Sequence, residues 1–356
     1  MVEWKKLGEV CTLERGVRVV RKNLQESGPI PVFQNSLTPL GFFEKSNYPA
    51  NIPFVICAGA AGEIGFSNGP FWAADDCTCI LCKSSTISKF AYYYLLVKQH
   101  SLKSQVRKAS VPRLSKNTIE NLIIPIPSIA EQKRIVGILD TFTDSIENLK
   151  KQIEQRRKQY EFYRDQLLDL EGKEGVEWKK LNTVCEVING RAYKQQELLA
   201  AGKYRVLRVG NFFSNDSWYF SDLELDDKYY CNEGDLLYAW SASFGPHIWT
   251  EEKTIYHYHI WKINCSEGID KKYMFYWLQS ENMRKQAFSH LHGATMAHLT
   301  KALMESLNVP LLPLSEQQRI VSILDTFEAS ISNLEAQLEQ RQKQYEYYRN
   351  KLLTFA

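Results

Sequence analysis

The side chains of this sequence that could do chemistry are polar and basic residues gathered in loops. One loop lies ahead of a predicted short helix and holds Arg107, Lys108, Ser110, Arg113 and Lys116. The matching loop of the second half holds His290, His292, Thr295, His298 and Lys301. Side chains of these types donate and accept hydrogen bonds, as contacts to the groove edges of DNA bases require. The two loops are therefore predicted to contact DNA.

Smaller polar clusters recur near the start of each half. They are Arg18 with Lys22 and Arg191 with Lys194, followed at comparable depth by Gln34 with Asn35 and Arg208 with Asn211. For any one of these residues, a solvated surface side chain is the simpler interpretation. Their recurrence at equivalent places favours the clusters as binding candidates more than any single member.

The charge of the chain is unevenly distributed. A formal net charge of +3 over 356 residues does not by itself indicate a nucleic-acid partner. Residues 17–123 carry 12 Lys and Arg against 6 Asp and Glu, whereas residues 191–308 carry 13 against 14. The first segment is basic and the second is balanced, so phosphate contacts in the second would rest on few residues.

Two groups of residues have the types, but not the arrangement, of metal ligands. On a strand, Cys77 and Cys79 point to one face and Cys82 to the other, which favours buried free thiols over a zinc site. His257 and His259 share one strand face but lack a companion Cys or carboxylate at metal spacing. We expect packed or DNA-facing histidines and no metal.

Catalytic and cofactor motifs are missing from the sequence. There is no G-x-x-x-x-G-K-[ST] phosphate loop, and no G-x-G-x-x-G follows a predicted strand. An Asn-Pro-Pro-aromatic motif, used by enzymes that methylate amino groups of DNA, is also missing. We predict that the chain is not itself an enzyme and binds no cofactor, with an unrecognised active site as the alternative.

The composition indicates a folded protein of the reducing cytoplasm. Apolar residues make up 44% and aromatic residues 12% of the chain, which is enough for buried cores. The eight cysteines follow no regular disulfide framework. No apolar run reaches membrane-spanning length, and the first ten residues do not form a signal peptide.

A long repeated helix is the element most able to position these loops. Residues 131–170 return as residues 316–355 with 26 of 40 positions identical. Apolar residues recur at alternating steps of four and three, which predicts a heptad seam along each copy. Forty helical residues would form a rod of about 60 Å.

The polar interruption of the seam indicates how the two helices pair. Parallel pairing would place Arg156 against Arg341 in an apolar seam, which is costly. Antiparallel pairing separates the charges and sets each Arg near leucines of the other helix, so we predict it. Two independent helices, each lying on its own domain, remain the alternative. The seam positions are Leu139, Phe142, Leu149, Arg156 and Tyr160, with Leu324, Phe327, Leu334, Arg341 and Tyr345 as counterparts.

The stretches between the helices predict mixed α/β domains. Each half opens with Val-Glu-Trp-Lys-Lys-Leu, at residues 2 and 176, whose spacing suggests a short helix or turn leading into a strand. In the first half Ser115 is the predicted N-cap of a short helix, and Pro125 and Pro127 end it in an extended linker. Strands are predicted at residues 29–34, 54–58 and 76–83, and a helix at residues 90–106.

The fold class is therefore α+β. We predict two globular mixed α/β domains separated by two long antiparallel coiled-coil helices, as a pseudo-twofold repeat. The domains would span residues 1–123 and 171–308, with a hinge at residues 171–175. Residues 124–170 and 309–356 would form the linkers and helices.

The repeated signature resembles a known family. It reads IPIPSIAEQKRIVGILD at residues 124–140 and VPLLPLSEQQRIVSILD at residues 309–325. Two diverged segments that each end in this signature and a long helix look like the specificity subunit of a type I restriction-modification enzyme. The resemblance covers essentially the whole chain.

The resemblance implies a non-catalytic DNA-reading role. Each domain would be a target recognition domain that reads one half of a bipartite double-stranded site. The paired helices would act as a spacer, and their seam region would dock two methyltransferase subunits and, through the complex, restriction subunits. S-adenosylmethionine, ATP and Mg would be bound by those partners and not by this chain.

Two other functions fit the sequence less well. One is the specificity subunit of a related two-subunit methyltransferase–nuclease system. The other is a coiled-coil scaffold with two ligand-binding heads, which would have no evident need for two diverged readers on preserved helices.

Overall fold

The computed structural model describes residues 2–108, 110–213, 215–241, 243–288 and 299–355. The chain divides into two compact units. The first consists of Met1–Lys151 with Glu335–Ala356, and the second of Gln152–Leu334. Each unit contains one mixed α/β region and a part of both long helices. The domain boundaries drawn from the sequence stay a prediction.

The first unit begins with a strand and a single helical turn, followed by strands and two helices that lead into the first long helix. In chain order these are β1 (Glu3–Lys6), α1 (Leu7–Val10), β2 (Cys11–Arg15), β3 (Ile30–Phe33), β4 (Gly41–Phe43), β5 (Ile52–Ile56), β6 (Ile64–Ser67), β7 (Trp72–Ala73), β8 (Cys77–Cys82), α2 (Ser88–Ser104), α3 (Lys116–Glu120), β9 (Ile123–Ile126) and α4 (Ile129–Leu168).

Three sheets organise the first unit. Strands β2, β8, β5 and β6 form an antiparallel sheet in that order, and β4, β3 and β7 form a second in which β3 and β7 are parallel. The two-stranded sheet pairs β1 with β9, opposing Trp4 and Pro125. The predicted linker after Ser115 is thus partly a sheet strand. The opening segment likewise places a strand before the predicted helical turn.

The core of the first unit lies between α2 and the four-stranded sheet. Phe90, Tyr93 and Tyr94 of α2 are buried in one cluster with Val55 and Ile80 of the sheet. Fully burying an apolar side chain of this size stabilises a fold by about 1.5–3 kcal/mol. The predicted strands and the predicted helix at residues 90–106 are confirmed, with boundaries shifted by a few residues.

The second unit repeats this order of elements. They are β10 (Glu177–Lys180), α5 (Leu181–Val184), β11 (Cys185–Asn189), β12 (Tyr204–Leu207), β13 (Tyr219–Ser221), β14 (Tyr230–Cys231), β15 (Leu236–Ser241), β16 (Ser243–Ile248), β17 (Thr254–Tyr256), β18 (Ile260–Cys265), α6 (Lys271–Trp277), α7 (Glu281–Phe288), α8 (Lys301–Ser306), β19 (Asn308–Leu311) and α9 (Leu314–Leu352).

The sheets of the second unit match those of the first strand by strand. The antiparallel order β11, β18, β15, β16 corresponds to β2, β8, β5, β6. The order β13, β12, β17, β14 keeps a parallel pair, β12 with β17, and adds one strand. The pairing of β10 with β19 corresponds to that of β1 with β9. The prediction of a repeated mixed α/β fold is confirmed.

Helices α4 and α9 run antiparallel within each unit. In the first unit Phe142 stacks on Tyr348, with ring centroids 5.3 Å apart, while the earlier residue Leu139 clusters with Leu353. In the second unit Tyr163 stacks on Phe327 at 5.4 Å, while the later Leu168 clusters with the earlier Ile320. The coiled coil predicted from the heptads is confirmed.

Each of the two seam arginines lies over an aromatic ring, a contact that was not predicted. The Arg156 guanidinium is 5.8 Å from the ring centroid of Phe327, and that of Arg341 is 5.7 Å from the ring of Phe142. A cation over an aromatic face is electrostatically favourable, so the seam accommodates the charge. In the register set by the ring pairs Phe142–Tyr348 and Tyr163–Phe327, Arg156 falls opposite Leu334 and Arg341 opposite Leu149, so nothing contradicts the prediction of leucines near each Arg.

A buried glutamine anchors the first turn of each long helix. Gln132 is fully buried; its Oε1 accepts from the Ile87 amide at 2.8 Å, and its Nε2 donates to the carbonyls of Ser85 and Pro127, both at 2.9 Å. Gln317 makes the same set of bonds with Asp270, Gly268 and Leu312. The Glu-Gln-x-Arg part of the signature is thus a clamp between the long helix and its domain.

The aspartate that closes the signature makes a second anchor. Asp140 accepts from the Tyr93 hydroxyl at 2.6 Å and pairs with Lys89 at 3.0 Å. In the second unit Asp325 accepts from Tyr276 at 2.6 Å and from Lys272. The signature therefore fixes α4 to α2, and α9 to α6, by the same two contacts.

Candidate nucleic-acid interface

A small cavity opens in the first unit where β2 ends and β5 and β8 meet their loops. It has a volume of about 180 Å³, and its charged lining residues are Arg15, Asp75, Asp76, Arg113 and Lys116. Arg113 and Lys116 were predicted site residues. Arg15 was not predicted, because its position next to residues 75–76 depends on the pairing of β2 with β8.

The basic loop at this cavity is closed by backbone hydrogen bonds. The Arg107 amide donates to the Arg113 carbonyl at 2.8 Å, and the Arg113 amide donates back at 3.2 Å. The Leu114 amide donates to the Cys57 carbonyl at 2.9 Å, which fixes the loop to the end of β5. Arg107, Lys108, Ser110 and Arg113 are exposed on this loop, while Lys116 starts α3 and pairs with Glu120 at 3.2 Å. The loop presents several cations to one surface.

Gln34 and Asn35 reach the same edge from the end of β3. The Gln34 amide donates to Asp76 Oδ2 at 3.4 Å. The Asn35 carbonyl accepts from Ala60, and Asn35 packs so closely on Gly59 that a Cβ there would lie 2.8 Å away. Gly59 has a φ of +81°, so both the backbone and the space demand glycine. The structure thus brings Gln34 and Asn35 together with the cavity residues.

Arg18 and Lys22 lie on the segment that leaves β2 and runs along β7. The Val17 amide donates to the Ala73 carbonyl at 2.9 Å, and Trp72 Nε1 donates to the Val17 carbonyl at 2.8 Å. Both basic side chains are exposed. They share the strand-end surface but do not line the cavity.

In the second unit, Arg191 is held by an internal partner. Its guanidinium donates to both carboxylate oxygens of Glu197, at 2.9 and 2.8 Å, and lies 5.1 Å from the Tyr193 ring centroid. The hydrogen bond from Arg191, helped by the Lys194 backbone amide, lowers the pKa of Glu197 to about 2. Arg191 therefore stabilises its own loop, while Lys194 is exposed beside it.

Arg208 occupies the place of Gln34. Gln34 follows β3 and Arg208 follows β12, and each of these strands ends in a carbonyl that accepts an equivalent backbone hydrogen bond. The Ala74 amide donates to the Phe33 carbonyl at 2.8 Å, and the His257 amide donates to the Leu207 carbonyl at 2.9 Å. The Arg208 guanidinium lies 4.3 Å from the Tyr219 ring centroid. Its Nε is buried and has no hydrogen-bond partner among the described residues.

Asn211 has a structural part within the same loop. Its Oδ1 accepts from the Arg208 amide at 3.1 Å, and its Nδ2 donates to the carbonyls of Asn215 and Ser217 at 2.9 and 3.0 Å. A side-chain amide bonded at both ends has little capacity left for an outside contact. Asn211 positions the loop that carries Arg208.

In the second unit, an aromatic turn at residues 257–259 lies where the first unit has the acidic residues Asp75 and Asp76. The Trp240 amide donates to His259 at 3.1 Å, as the Cys57 amide donates to Asp76 at 2.7 Å, so His259 matches Asp76. Tyr258 is 40% exposed, and its carbonyl accepts from Trp240 Nε1 at 2.9 Å. Burial, with the charges of His259 and Arg208, lowers the pKa of His257 to about 4. This edge is therefore aromatic and carries a neutral imidazole at pH 7.

The remaining predicted residues lie at the short helix of the second unit. Lys301 begins α8 and pairs with Glu305 at 3.5 Å, as Lys116 pairs with Glu120. Thr300 caps α8 as Ser115 caps α3, each accepting from an amide three residues on, at 3.2 and 3.1 Å. His292 and Thr295, like His290 and His298, lie outside the described residues.

The described part of the chain contains no group of three or more His, Cys, Asp or Glu placed to hold a metal ion. Cys77 and Cys79 are buried, and burial raises the pKa of both thiols, that of Cys79 to about 12. Protonated, buried thiols are poor metal ligands. No helix in the ranges that the structure covers is both long and apolar enough to cross a membrane.

Phe162 and Tyr347, at equivalent positions of the repeat, are the most exposed aromatic residues of the described parts of the two long helices. Phe162 on α4 is 62% exposed, and Tyr347 on α9, its counterpart in the repeat, is 59% exposed. Neither is on the seam. In contrast, the predicted seam residues Leu139 and Leu324 are fully buried, each in the core of its own unit. The other predicted seam residues are buried or half-buried.

Comparison with known proteins gives consistent matches over the whole chain. The family described as "Type I restriction modification DNA specificity domain" matches residues 1–156 and 173–342. A curated type I restriction enzyme specificity subunit of Haemophilus influenzae is 27% identical, covering 100% of this chain and 96% of its own length. The EcoR124I/EcoR124II specificity subunit of Escherichia coli is 26% identical, covering 99% and 94%.

A solved structure shares the fold. The S subunit of a type I restriction-modification system from M. genitalium superimposes with a TM-score of 0.68 at 17% identity, covering 100% of this chain and 97% of that one. The match spans both halves, so the repeated architecture is a property of this fold.

Proposed function

The chain belongs to the type I restriction-modification DNA specificity family, and on that basis we propose that it reads a bipartite double-stranded DNA target, one half with each domain. It would do so as a non-catalytic subunit that directs methyltransferase and restriction subunits to the site. The proposal rests on one edge of the repeated fold, where the two domains have chemically different side chains at equivalent positions. Gln34 and Asp76 occupy it in the first domain, Arg208 and His259 in the second.

Two different sets of side chains on one frame are expected of two readers with different targets. The frame is kept, because the strands and helix anchors match, while the exposed edge has diverged. Direct reading needs donors and acceptors that can reach base edges, and Gln and Arg are residues that bind purines in two-point contacts. A scaffold with two heads would not require this pattern of divergence.

The basic loop of the first domain fits contacts to phosphates. Arg107, Lys108 and Arg113 are exposed on a loop that backbone hydrogen bonds close at its base, so one loop presents three cations to solvent. Phosphate contacts position a protein on DNA, and base contacts specify the sequence. We assign the loop mainly to positioning, and the cavity edge with Arg15, Gln34 and Asn35 to reading.

The coiled coil is the proposed docking surface for the methyltransferase subunits. Phe162 and Tyr347 are aromatic, mostly exposed and off the seam, and they recur at equivalent places in the two helices. Exposed aromatic residues of this kind are frequent energetic centres of protein interfaces. In the second unit Phe162 also borders a groove of about 430 Å³ lined by Asp165, Asp169 and Lys285. These charged side chains would offer polar contacts to a docked methyltransferase subunit.

The cofactors belong to the partner subunits in this proposal. S-adenosylmethionine would be bound by the methyltransferase subunits, and ATP and Mg by the restriction subunits. This chain would contribute position and sequence choice. The restriction subunits would reach it through the assembled complex.

The proposal is tested by mapping methylated adenines in cells. The full chain is expressed with a type I methyltransferase subunit in a host that lacks adenine methylation, and methylated bases are located by single-molecule sequencing. The expected result is one motif made of two short specific halves separated by an unspecified spacer. A continuous motif, or methylation without sequence preference, would contradict the proposal.

A further inference from the structure

Each domain carries two cysteines at the same place in its four-stranded sheet. Cys11 on β2 lies directly opposite Cys82 on β8, and Cys185 on β11 lies directly opposite Cys265 on β18. The sulfur atoms are 3.1 Å apart in the first pair and 3.6 Å apart in the second. All eight cysteines are free thiols. The pair has therefore been kept in two domains whose exposed edges differ.

The position of both pairs in the ladder suits a disulfide. The Lys83 amide donates to Val10, and the Ser266 amide donates to Val184, each at 2.9 Å. The cysteines form the neighbouring pair of residues in each ladder, which is a non-hydrogen-bonded pair. In such pairs of an antiparallel sheet the two Cα atoms are about 4.5 Å apart. A disulfide needs a Cα separation of about 4.4–6.8 Å and a sulfur separation of about 2.05 Å. Side-chain rotation alone can close this gap.

The two thiols of each pair differ in access and acidity. Cys11 and Cys185 are buried, while Cys82 and Cys265 are half-buried; Cys185 and Cys265 both border one open cavity. The hydrogen bond from the buried thiol lowers the pKa of Cys82, with help from Ser88, and that of Cys265, with help from the charge of Lys271. The accessible member of each pair is thus the better nucleophile.

We propose that Cys11 with Cys82, and Cys185 with Cys265, are two redox modification sites that close to disulfides by exchange with a small disulfide such as glutathione disulfide. The accessible thiolate attacks one sulfur of glutathione disulfide, forming a mixed disulfide and releasing one glutathione thiolate. The buried thiol then loses its proton to solvent, attacks the accessible cysteine's sulfur and releases the second glutathione. Two cysteine thiols are oxidised and one glutathione disulfide is reduced to two glutathione molecules.

Closing the pair would tie the edge strand of each four-stranded sheet to the strand beside it. In the first domain that edge strand is β2, whose last residue, Arg15, lines the cavity proposed for DNA reading. The disulfide joins positions 71 residues apart, so it restricts the unfolded chain strongly. The oxidised chain is expected to melt at a higher temperature than the reduced chain.

The test is thiol mapping of the full chain incubated with glutathione disulfide. After the incubation the chain is unfolded in denaturant so that buried thiols also react, the free thiols are alkylated, and peptides are mapped without reduction. The expected result is two cross-links, Cys11 to Cys82 and Cys185 to Cys265, with four thiols still alkylated. Those four are Cys57, Cys77, Cys79 and Cys231, which serve as internal controls.

A second arm tests the order of steps. In Cys11→Ser and Cys185→Ser the resolving thiol is missing, so glutathione should stay attached to Cys82 and Cys265. Cys77→Ser, a matched change of another buried cysteine, should leave both cross-links unaltered. A wild-type chain that keeps eight free thiols, holds glutathione without cross-linking, or cross-links other cysteines overturns the proposal. This outcome is read on the wild-type chain and does not depend on whether the variants fold.

Discussion

Arg208 is the side chain whose surroundings most favour a contact outside the chain. It is oriented over the Tyr219 ring, and its buried Nε has no partner among the described residues. We predict that Arg208→Ala weakens discrimination at one base pair by about 1–3 kcal/mol, because a two-point contact to a base is lost. The measurement is competitive binding of duplexes that vary at each target position, by the full chain with its methyltransferase partner.

Arg191→Ala is the matched control for that experiment. Its guanidinium is occupied by both oxygens of Glu197, so its removal should loosen the loop and leave base preference unchanged. Arg208→Lys should behave like the alanine variant, because lysine cannot make the planar two-point contact. If Arg208→Ala ranked all duplexes as the wild-type chain does, the assignment would be wrong.

A second prediction at the residue scale concerns the buried glutamine clamps. Gln132→Ala leaves one buried amide and two carbonyls without the side chain that satisfies them. Unsatisfied buried groups cost about 1–3 kcal/mol each, with partial relaxation, so we expect a loss of about 2–4 kcal/mol in unfolding free energy. Urea unfolding followed by circular dichroism measures it.

Lys133→Ala, next to Gln132 but exposed, should change stability by less than about 0.5 kcal/mol. Gln317→Ala and its exposed neighbour Gln318→Ala form the same comparison in the second unit. Hydrogen exchange should locate each loss in the unit that contains the altered clamp. Equal stability of Gln132→Ala and Lys133→Ala would remove the anchoring role.

At the scale of elements, the exposed aromatic pair predicts where the methyltransferase subunits dock. The double variant Phe162→Ala with Tyr347→Ala should weaken partner binding, with each truncation costing about 2 kcal/mol or more if these residues are interface centres. Because both side chains lie off the seam and are mostly exposed, the helices themselves should stay folded. Co-purification and titration calorimetry with the methyltransferase subunit measure the effect.

The seam arginines provide the control for docking. Arg156 and Arg341 lie over rings inside the chain, so replacing both with leucine should leave partner binding nearly unchanged. Their role would then be to set the register between the two long helices. If the leucine variant lost the partner and the aromatic variant kept it, the docking surface would have to be moved to the arginines.

The long helices were predictable from the sequence because their pattern is local. Heptad spacing fixes the seam within each helix, and the charge of one seam residue was enough to choose the antiparallel direction. The aromatic ring under each guanidinium was not predictable, because it depends on the register between segments nearly two hundred positions apart.

The candidate site was predictable only as clusters. Loops rich in Arg, Lys and Gln could be found by composition, and Arg113, Lys116 and Gln34 do meet at one edge. Arg15 and the aromatic turn at Tyr258 were missed, because strand pairing brings them to that edge. Arg191 and Asn211 were selected by residue type, and only their partners reveal that they hold their own loops together.

For the whole molecule, the shared anchors predict that one domain can replace the other. Lys272 and Tyr276 contact Asp325 as Lys89 and Tyr93 contact Asp140. The main chain of residues 268–270 meets Gln317 as that of residues 85–87 meets Gln132. A chain in which residues 185–308 replace residues 11–123, so that the strand with Arg15 is exchanged too, should therefore fold, with the second domain's anchors meeting Asp140 and Gln132.

Such a chain has two copies of one reader, so both halves of its methylated motif should carry the same base preferences. Those shared preferences should be the ones of the half that the second domain reads in the wild-type motif. Single-molecule sequencing of methylated adenines measures this directly, with the wild-type chain as reference. A motif with two unlike halves, or a change in the half assigned to the untouched domain, would show that base preference does not reside in the exchanged segment. The side chains that anchor the long helices lie on α2 and α6, whereas the proposed reading edges lie at the ends of strands. Because anchoring and reading are separate within each domain, one domain can be exchanged for the other.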